Sequence, residues 1–158
     1  MGSKVTISRR KAIIALGGNL PLGGMLPHEI LLAAIEEITP SMGEICQVSR
    51  LFQTPCFPAG AGPDYVNAAL VLDTNLKPTS LMHQLQAVEQ KFSREREQRW
   101  GMRTLDLDLI ACGDSVLPSP SEYQHWLDLP LELQMRQTPP ELILPHPRLQ
   151  DRAFVLVP

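Results

Sequence analysis

As far as residue 111, segments with the apolar pattern of a strand alternate with segments in which apolar residues recur at helical spacing. Short apolar runs such as Lys11–Leu16 are typical of buried strands, whereas Leu81, Leu85 and Val88 recur at helical spacing and would share one stripe. Gly17-Gly18-Asn19 follows the first run and is interpreted as a structural turn that ends it. The patterns predict six elements: a strand at Lys11–Leu16, a helix at roughly Pro27–Ile38, strands at Ile45–Phe52 and Tyr65–Asp73, a helix from about Pro78 and a strand at Leu105–Ala111.

This order of elements indicates an α+β fold, a ferredoxin-like βαββαβ sandwich in which helices pack on an antiparallel sheet. The 158 residues suffice for one core, and we expect a single domain over 1–158 with a disordered N-terminal tail at 1–10. Eight of the 15 prolines lie from Pro118 onward, where helical periodicity is visible only around Tyr123–Met135. Residues 114–140 are therefore predicted to be an inserted, partly helical excursion.

Composition narrows the possible classes of protein. The apolar fraction of 44% and the charged fraction of 20% are typical of soluble globular proteins. No apolar run approaches the roughly 18 residues of a membrane span, and the N-terminus lacks the apolar core of a signal peptide. Cys46, Cys56 and Cys112 form neither a CxxC pair nor an even set, so they are interpreted as buried small hydrophobic residues. We therefore expect a cytoplasmic protein, in a reducing compartment, that binds no membrane.

The net charge of −3 argues against nucleic-acid binding, but the basic residues are unevenly distributed. Five of the 14 lie within one stretch of thirteen positions: Lys91, Arg94, Arg96, Arg99 and Arg103. In an acidic protein such a cluster favours an anionic partner. A solvated helix end is the alternative interpretation. The Trp100-Gly101 step within the cluster favours instead an aromatic loop that closes over a substrate.

Leucine and aspartate alternate strictly over residues 105–109. In a strand, this alternation places the leucines in the core and the carboxylates of Asp106 and Asp108 on the opposite face, about 7 Å apart. Mg²⁺ typically takes one or two carboxylates and fills its other positions with water and phosphate oxygens. A solvated strand face is the alternative for an isolated pair. Arg103, three residues earlier, favours a metal-bound polyphosphate.

The run RWGMRTLDLDLI at 99–110, preceded by Glu89 and Arg94, closely resembles the 6-hydroxymethyl-7,8-dihydropterin pyrophosphokinase family. Three further stretches agree, in the family's order: Ala15–Leu20 (ALGGNL), Gln53–Asn67 (QTPCFPAGAGPDYVN) and Leu144–Phe154 (LPHPRLQDRAF). The resemblance extends over nearly the whole chain. It implies an ATP-dependent diphosphokinase of folate biosynthesis, which transfers pyrophosphate from MgATP to 6-hydroxymethyl-7,8-dihydropterin and releases AMP.

The resemblance also implies roles for individual residues. Asp106 and Asp108 would hold two Mg²⁺ ions on the triphosphate, and Arg94 and Arg99 would act with them in catalysis. The nucleotide site would comprise Glu89, Arg94, Arg96, Arg99, Trp100, Arg103, Leu109, His146 and Arg152. The pterin site would comprise Thr54, Pro55, Phe57, Tyr65, Asn67, Trp100 and Phe154. Three histidines match no family position and are interpreted as surface residues: His28, His83 and His125.

The chemistry of a pterin favours the same residues. Its flat ring carries donors and acceptors along one edge, so binding needs an amide at the edge and aromatic side chains on the faces. Tyr65 and Asn67 lie two residues apart on a predicted strand and would project to the same side. By resemblance, Phe154 would be the opposing ring, and Thr54 and Phe57 would contact the ring largely through their backbone.

Two positions depart from the family pattern: Glu141 and Ile143 lie where some relatives carry a basic and a hydroxyl residue. Two other functions are compatible with parts of the sequence, namely an RNA-recognition module of the same βαββαβ order and a catalytically weak homologue that binds pterin or nucleotide. The aromatic motifs of RNA-recognition sheets are absent from the sequence, and the metal-binding positions are intact. We therefore predict a monomeric enzyme that acts on ATP and the pterin and binds no nucleic acid.

Overall fold

Strands and helices follow one another largely in the predicted order. The computed structural model describes residues 8–56, 59–93 and 103–158. Its strands are β1 (Arg10–Gly18), β2 (Glu44–Val48), β3 (Phe52–Thr54), β4 (Tyr65–Thr74) and β5 (Asp106–Cys112). Its helices are α1 (Pro27–Met42), α2 (Pro78–Lys91), α3 (Pro120–Asp128), α4 (Leu131–Arg136) and the short α5 (Ala153–Leu156). The predicted tail at 1–10 falls largely outside the described residues, and Arg10 already belongs to β1.

All pairings in the sheet are antiparallel, which confirms an α+β arrangement with an antiparallel sheet. The strand order is β2-β4-β1-β5, and β3 pairs with the first part of β4 along the same edge as β2. Gly17 of the central strand β1 lies opposite Asn67 of β4 and opposite Asp106 of β5. Asn67, Gly17 and Asp106 therefore form one row across three neighbouring strands.

The core lies on one face of the sheet, between the strands and the helices α1 and α2. Alternate residues of each strand point to this face, and the buried ones include Ile14 and Leu16 of β1, Leu70 and Leu72 of β4 and the leucines of β5. The predicted helix stripes are confirmed by residues that are fully or nearly fully buried: Ile30, Ala34, Ile38, Leu81, Leu85 and Val88. The helices therefore leave the opposite face of the sheet to other groups.

The single strand predicted at 45–52 is in fact two strands. Between them, the hydroxyl of Ser49 accepts a hydrogen bond from the backbone N–H of Ala69 at 2.9 Å, so a side chain replaces a backbone group in the ladder. The interpretation of Cys46 as buried is wrong, because β2 is an edge strand and Cys46 is exposed, 3.0 Å from Nζ of Lys11. Cys56 and Cys112 are buried, as expected.

The interpretation of Gly17-Gly18-Asn19 as a turn that ends the first strand is also wrong. β1 continues through Gly18, because the absence of a side chain there allows the backbone carbonyl of Thr104 to approach closely. Asn19 follows and is buried. Its Nδ2 donates to the carbonyl of Pro63 at 3.1 Å, and its Oδ1 accepts from the backbone N–H of Arg103 at 3.0 Å. Asn19 thus ties the segment before β4 to the segment before β5.

The excursion at 114–140 is partly helical, as predicted, and contains α3 and α4. Ser119 caps α3 by accepting from the backbone N–H of Glu122 at 3.2 Å. Nε2 of Gln134 in α4 donates to the carbonyls of Trp126 and Leu129 at 2.9 and 2.8 Å, which fastens the two helices together. Trp126 is buried, so this segment packs on the rest of the protein.

We expect Gly18→Ala to lower the free energy of unfolding by about 1–3 kcal/mol, because the added methyl group would overlap the carbonyl of Thr104 and a backbone group cannot move aside as a side chain can. Urea unfolding followed by circular dichroism measures the change. A glycine-to-alanine replacement without a clash commonly stabilises by about 0.4–1 kcal/mol through the unfolded chain. An unchanged or increased free energy of unfolding would therefore contradict the close approach.

Candidate active site

Two carboxylates lie side by side on the uncovered face of β5. Asp106 and Asp108 keep 31% and 28% of their side-chain surface exposed, while the leucines at 105, 107 and 109 are buried, so the predicted alternation is confirmed. Nη1 of Arg103 donates to Oδ1 of Asp106 at 2.6 Å. Nη1 of Arg152 lies 3.7 Å from Oδ2 of Asp108. Both predicted metal ligands and two of the predicted nucleotide-binding arginines therefore come together.

The carboxylates of this site repel one another. Burial, and then the charge of Asp106, raise the pKa of Asp108 to about 6, against the opposing effects of Arg152 and Arg103. Burial is also the main reason why the pKa of Glu89 rises to about 7. A divalent cation would relieve this crowding of negative charge. The described residues hold no group of three or more ligating side chains, so the pair fits a metal that takes its remaining ligands from water and phosphate, as Mg²⁺ does.

Glu89 supports the strand that carries these aspartates. It projects from α2, and its Oε1 accepts from the backbone N–H of Leu107 at 2.5 Å. Among the described strands β5 lies at the edge of the sheet, so this N–H has no partner strand there. The structure therefore places Glu89 beside the aspartates, where it holds the backbone between them.

Asn67 stands on the same face as the aspartates, two strands away. It is 5% exposed, and its Nδ2 donates to Oγ1 of Thr54 on β3 at 2.7 Å, which fixes the orientation of the amide. Tyr65, two residues earlier on β4, is half-buried on the same side, and burial raises its pKa. The prediction that Tyr65 and Asn67 share one face is confirmed. Thr54 orients the amide through its hydroxyl group, a role that the sequence did not indicate.

Between Asn67 and Asp106 lies only a glycine. Gly17 of β1 is in register with both residues, and a Cβ at this position would lie 2.7 Å from Oδ1 of Asn67. In the next row across the sheet, Ala69 of β4 lies opposite Ala15 of β1, and Ala15 lies opposite Asp108 of β5. The β4 and β1 positions of this row are therefore also small residues. These small residues let the Asn67 amide lie over Gly17, and Gly17 and Ala15 are both buried. Sequence analysis missed this arrangement, because the glycines were interpreted as a turn.

Phe154 reaches this region from the C-terminal segment. The helix α5 lies against β4, and the Phe154 ring is 43% exposed with the Arg152 guanidinium carbon 5.6 Å from its centroid. Pro55 is exposed next to Thr54. Five other predicted site residues lie outside the described residues: Phe57, Arg94, Arg96, Arg99 and Trp100. His28, His83 and His125 are exposed, as expected.

A cleft of about 920 Å³ begins at Asp108 and extends away from Asp106, between α2 and the segment that follows β5. Predicted nucleotide residues line it: Leu109, His146 and Arg152. The two departures from the family pattern, Glu141 and Ile143, also line it. Trp126 of α3 and Gln134 of α4 also line the cleft. The sequence analysis predicted no site residue in the excursion at 114–140.

His146 is neutral in this cleft. Burial, and then the charges of Arg152 and Arg148, lower its pKa to about 4. Its Nδ1 accepts from the backbone N–H of Arg148 at 3.2 Å, so the ring proton is on Nε2, which is left as a donor. The backbone N–H of His146 donates to the carbonyl of Ile110 at 2.7 Å, which holds the loop against β5.

Fold and site together define a class: an α+β protein with a pair of carboxylates at one end of a cleft, and a buried amide two strands away on the same sheet face. The sequence model of the 7,8-dihydro-6-hydroxymethylpterin-pyrophosphokinase (HPPK) family matches residues 13–158. The chain belongs to this family.

Individual relatives agree with the family match. The chain is 38% identical over 148 residues to the 2-amino-4-hydroxy-6-hydroxymethyldihydropteridine pyrophosphokinase of Synechocystis, covering 93% of this chain and 63% of the relative. It is 36% identical over 151 residues to the enzyme of that name from Pseudomonas aeruginosa, covering 94% and 78%. Plasmodium falciparum HPPK-DHPS, in a crystal structure with pteroate, shares the fold with a TM-score of 0.56 at 14% identity, over 98% of this chain and 40% of that chain.

The depressed pKa of His146 predicts a pH-dependent stability. An unfolded histidine titrates near 6.5 and the folded one near 4, so the unfolded chain binds the proton more readily. The contribution is fully present above pH 6.5 and is lost as the pH falls toward 4. Between pH 7 and 4.5, we expect the wild-type free energy of unfolding to fall by about 2–3 kcal/mol more than that of His146→Gln.

Urea unfolding at both pH values measures this difference. His125→Gln is the matched control, because His125 is exposed and should leave the wild-type pH dependence unchanged. If His146→Gln had the same pH dependence as His125→Gln, His146 would not be a buried neutral imidazole.

Proposed function

We propose that this protein transfers the pyrophosphoryl group of MgATP to the hydroxymethyl oxygen of 6-hydroxymethyl-7,8-dihydropterin, giving AMP and the pterin diphosphate, as a step of folate biosynthesis. The names of its relatives support this substrate and reaction. The observation that carries the proposal is the row of Asn67, Gly17 and Asp106 across three neighbouring strands. It supports a site in which a group that can read a pterin edge and a group that can hold a metal share one face of the sheet.

The dimensions of this row suit the acceptor. Neighbouring strands lie about 4.8 Å apart, so the backbones at Asn67 and Asp106 are separated by roughly 10 Å. A bicyclic pterin whose polar edge lies at Asn67 would direct its hydroxymethyl group toward β5. Tyr65 and Phe154 would cover the ring, and Thr54 and Pro55 would border it.

Asp106 and Asp108 would hold the metal, and we propose two Mg²⁺ ions per ATP. The ions supply charge neutralisation and alignment of the phosphates for in-line displacement. Arg103 and Arg152 already lie at the aspartates and would turn toward phosphate oxygens when the metal takes the carboxylates. Glu89 keeps the β5 backbone between the two aspartates in place. The family resemblance adds Arg94, Arg96, Arg99 and Trp100 to the phosphate and ring contacts.

The nucleoside would lie in the cleft that begins at Asp108. Its apolar wall contains Leu109, and the Nε2–H of His146 offers a donor to a phosphate or ribose oxygen. Near the distal end, Glu141 and Ile143 replace the basic and hydroxyl residues of some relatives. The purine would therefore contact mainly apolar groups and backbone there.

The remaining proposals concern the molecule as a whole. The strand order β2-β4-β1-β5 with α1 and α2 on one face supports a ferredoxin-like topology, in which β2 and β3 together take the place of one strand. We propose one domain over 1–158, a monomer and a cytoplasmic location. Among the helices in the described ranges, none is long and apolar enough to cross a membrane.

Replacing either carboxylate of the pair should nearly abolish turnover. We expect Asp106→Asn and Asp108→Asn each to lower the rate of AMP formation from ATP and the pterin by about 10²–10³-fold, because the metal loses a ligand and the phosphates lose their alignment. Thermal stability should not fall, since each variant removes one of two repelling charges. Asp114→Asn is the control, because Asp114 is exposed just beyond β5. Wild-type turnover in both site variants would remove the pair from the mechanism.

Asn67→Ala should weaken pterin binding and spare the nucleotide. The variant would leave donors or acceptors of the ring buried without partners, at roughly 1–3 kcal/mol each, which corresponds to about a tenfold to several hundredfold loss of affinity. Isothermal titration with the pterin and, separately, with an unreactive ATP analogue measures both affinities. Asn75→Ala is the matched control, because Asn75 directly follows the same strand and is exposed. Weaker nucleotide binding with intact pterin binding would place the pterin elsewhere.

A further inference from the structure

Arg148 lines the cleft, and within the described residues the Nε of its guanidinium has no hydrogen-bond partner. Its Nε is enclosed and makes no hydrogen bond, one of only two such buried side-chain atoms in the described part of the chain. No carboxylate of the described residues lies within 4.0 Å of its guanidinium nitrogens, although Asp151 is close enough to raise its pKa. The residue as a whole is half-buried, so only the enclosed Nε–H is denied water. A donor without an acceptor costs free energy, and an acceptor that enters the cleft would remove this cost.

The neighbouring Arg152 differs in this respect. It lies 3.7 Å from Asp108 and against the ring of Phe154, so its charge and its flat face both have partners. Arg148 is instead placed beside Arg152 itself. Burial, and then the charge of Arg152, lower the pKa of the Arg148 guanidinium. The cleft also contains the carboxylates of Asp108 and Glu141. Asp108 is paired with Arg152, and no ion pair within 4.0 Å joins Glu141 to Arg148, so the Arg148 guanidinium is available to an anionic ligand.

The backbone around Arg148 makes its position well defined. Its N–H donates to Nδ1 of His146 at 3.2 Å, and its carbonyl accepts from the N–H of Asp151 at 3.2 Å. The side chain therefore starts from the same loop that presents His146 and Arg152 to the cleft. Asp108 lines this cleft and Asp106 does not, so Arg148 lies on the side of the metal pair that leads toward the nucleoside.

We propose that Arg148 binds the phosphate that remains on the nucleoside, which is the α-phosphate of ATP before transfer and the phosphate of AMP afterwards. The inference rests on the proposed function and adds a binding residue to it. The guanidinium would donate to phosphate oxygens and would stabilise the negative charge that develops on the leaving AMP as the bond to the β-phosphorus breaks.

Titration calorimetry with AMP, α,β-methylene-ATP and adenosine tests the proposal in the wild type, Arg148→Gln, Arg148→Lys and Arg136→Gln. Arg136→Gln is the matched control, because Arg136 is exposed at the end of α4 and removes the same charge without facing the cleft. We expect Arg148→Gln to weaken AMP and the ATP analogue by similar factors of roughly 10- to 100-fold and to leave adenosine unchanged. Arg148→Lys should lose less, and Arg136→Gln should bind like the wild type.

Three results would overturn the assignment of Arg148: unchanged affinity for AMP in Arg148→Gln, an equal loss for adenosine, or a loss for the ATP analogue alone. An equal loss for adenosine would mean that Arg148 contacts the nucleoside rather than a phosphate. A loss for the ATP analogue alone would mean that Arg148 binds the β- and γ-phosphates, which are transferred. The proposed function has a separate readout, which is AMP formation from ATP and the pterin by the wild type. A wild type that forms AMP beside an Arg148→Gln variant that binds AMP normally would disprove only the role of Arg148.

Discussion

The site depends on the two-residue alternation of the strands and on the packing of both long helices against one face of the sheet. With α1 and α2 on that face, every odd-numbered position of β1 and β4 and both aspartates of β5 stand on the other. A shift of one residue in β5 would bury Asp106 and Asp108 and expose Leu107 and Leu109. The same hydrophobic contacts that stabilise the fold therefore orient the chemistry.

Close approach of the backbone at two glycines then shapes the site. Gly18 lets the Thr104 carbonyl lie against β1, and Asn19 joins this segment to Pro63. The carboxylate side and the amide side of the site are thereby held to one central strand. Gly17 leaves space over β1 for the Asn67 amide. These contacts fix the relative positions of the amide and the carboxylates before any ligand binds.

The charges of the site are incompletely compensated within the protein. Asp108 and Glu89 have raised pKa values because they are buried near other carboxylates, and the Nε of Arg148 is enclosed without an acceptor among the described residues. A metal-bound polyphosphate would compensate both the negative and the positive charges, with its cation at the aspartates and its oxygens at the arginines. Functional sites commonly retain such local instability, because ligand binding removes it.

The sequence by itself determined the order of the elements, the buried stripes of α1 and α2 and the opposed faces of β5, because these follow from local periodicity. It also identified the aspartate pair and Asn67 through the family motif. Only the tertiary structure decided that β1 runs through Gly18, that β2 and β3 are separate, and that Gly17 lies between Asn67 and Asp106. Each of these depends on contacts between residues 20 to 90 positions apart in the chain, such as Ser49 with Ala69 and Asn19 with Arg103. The unpartnered state of the Arg148 Nε among the described residues was equally invisible in the sequence, because burial and missing partners arise only when distant segments pack together.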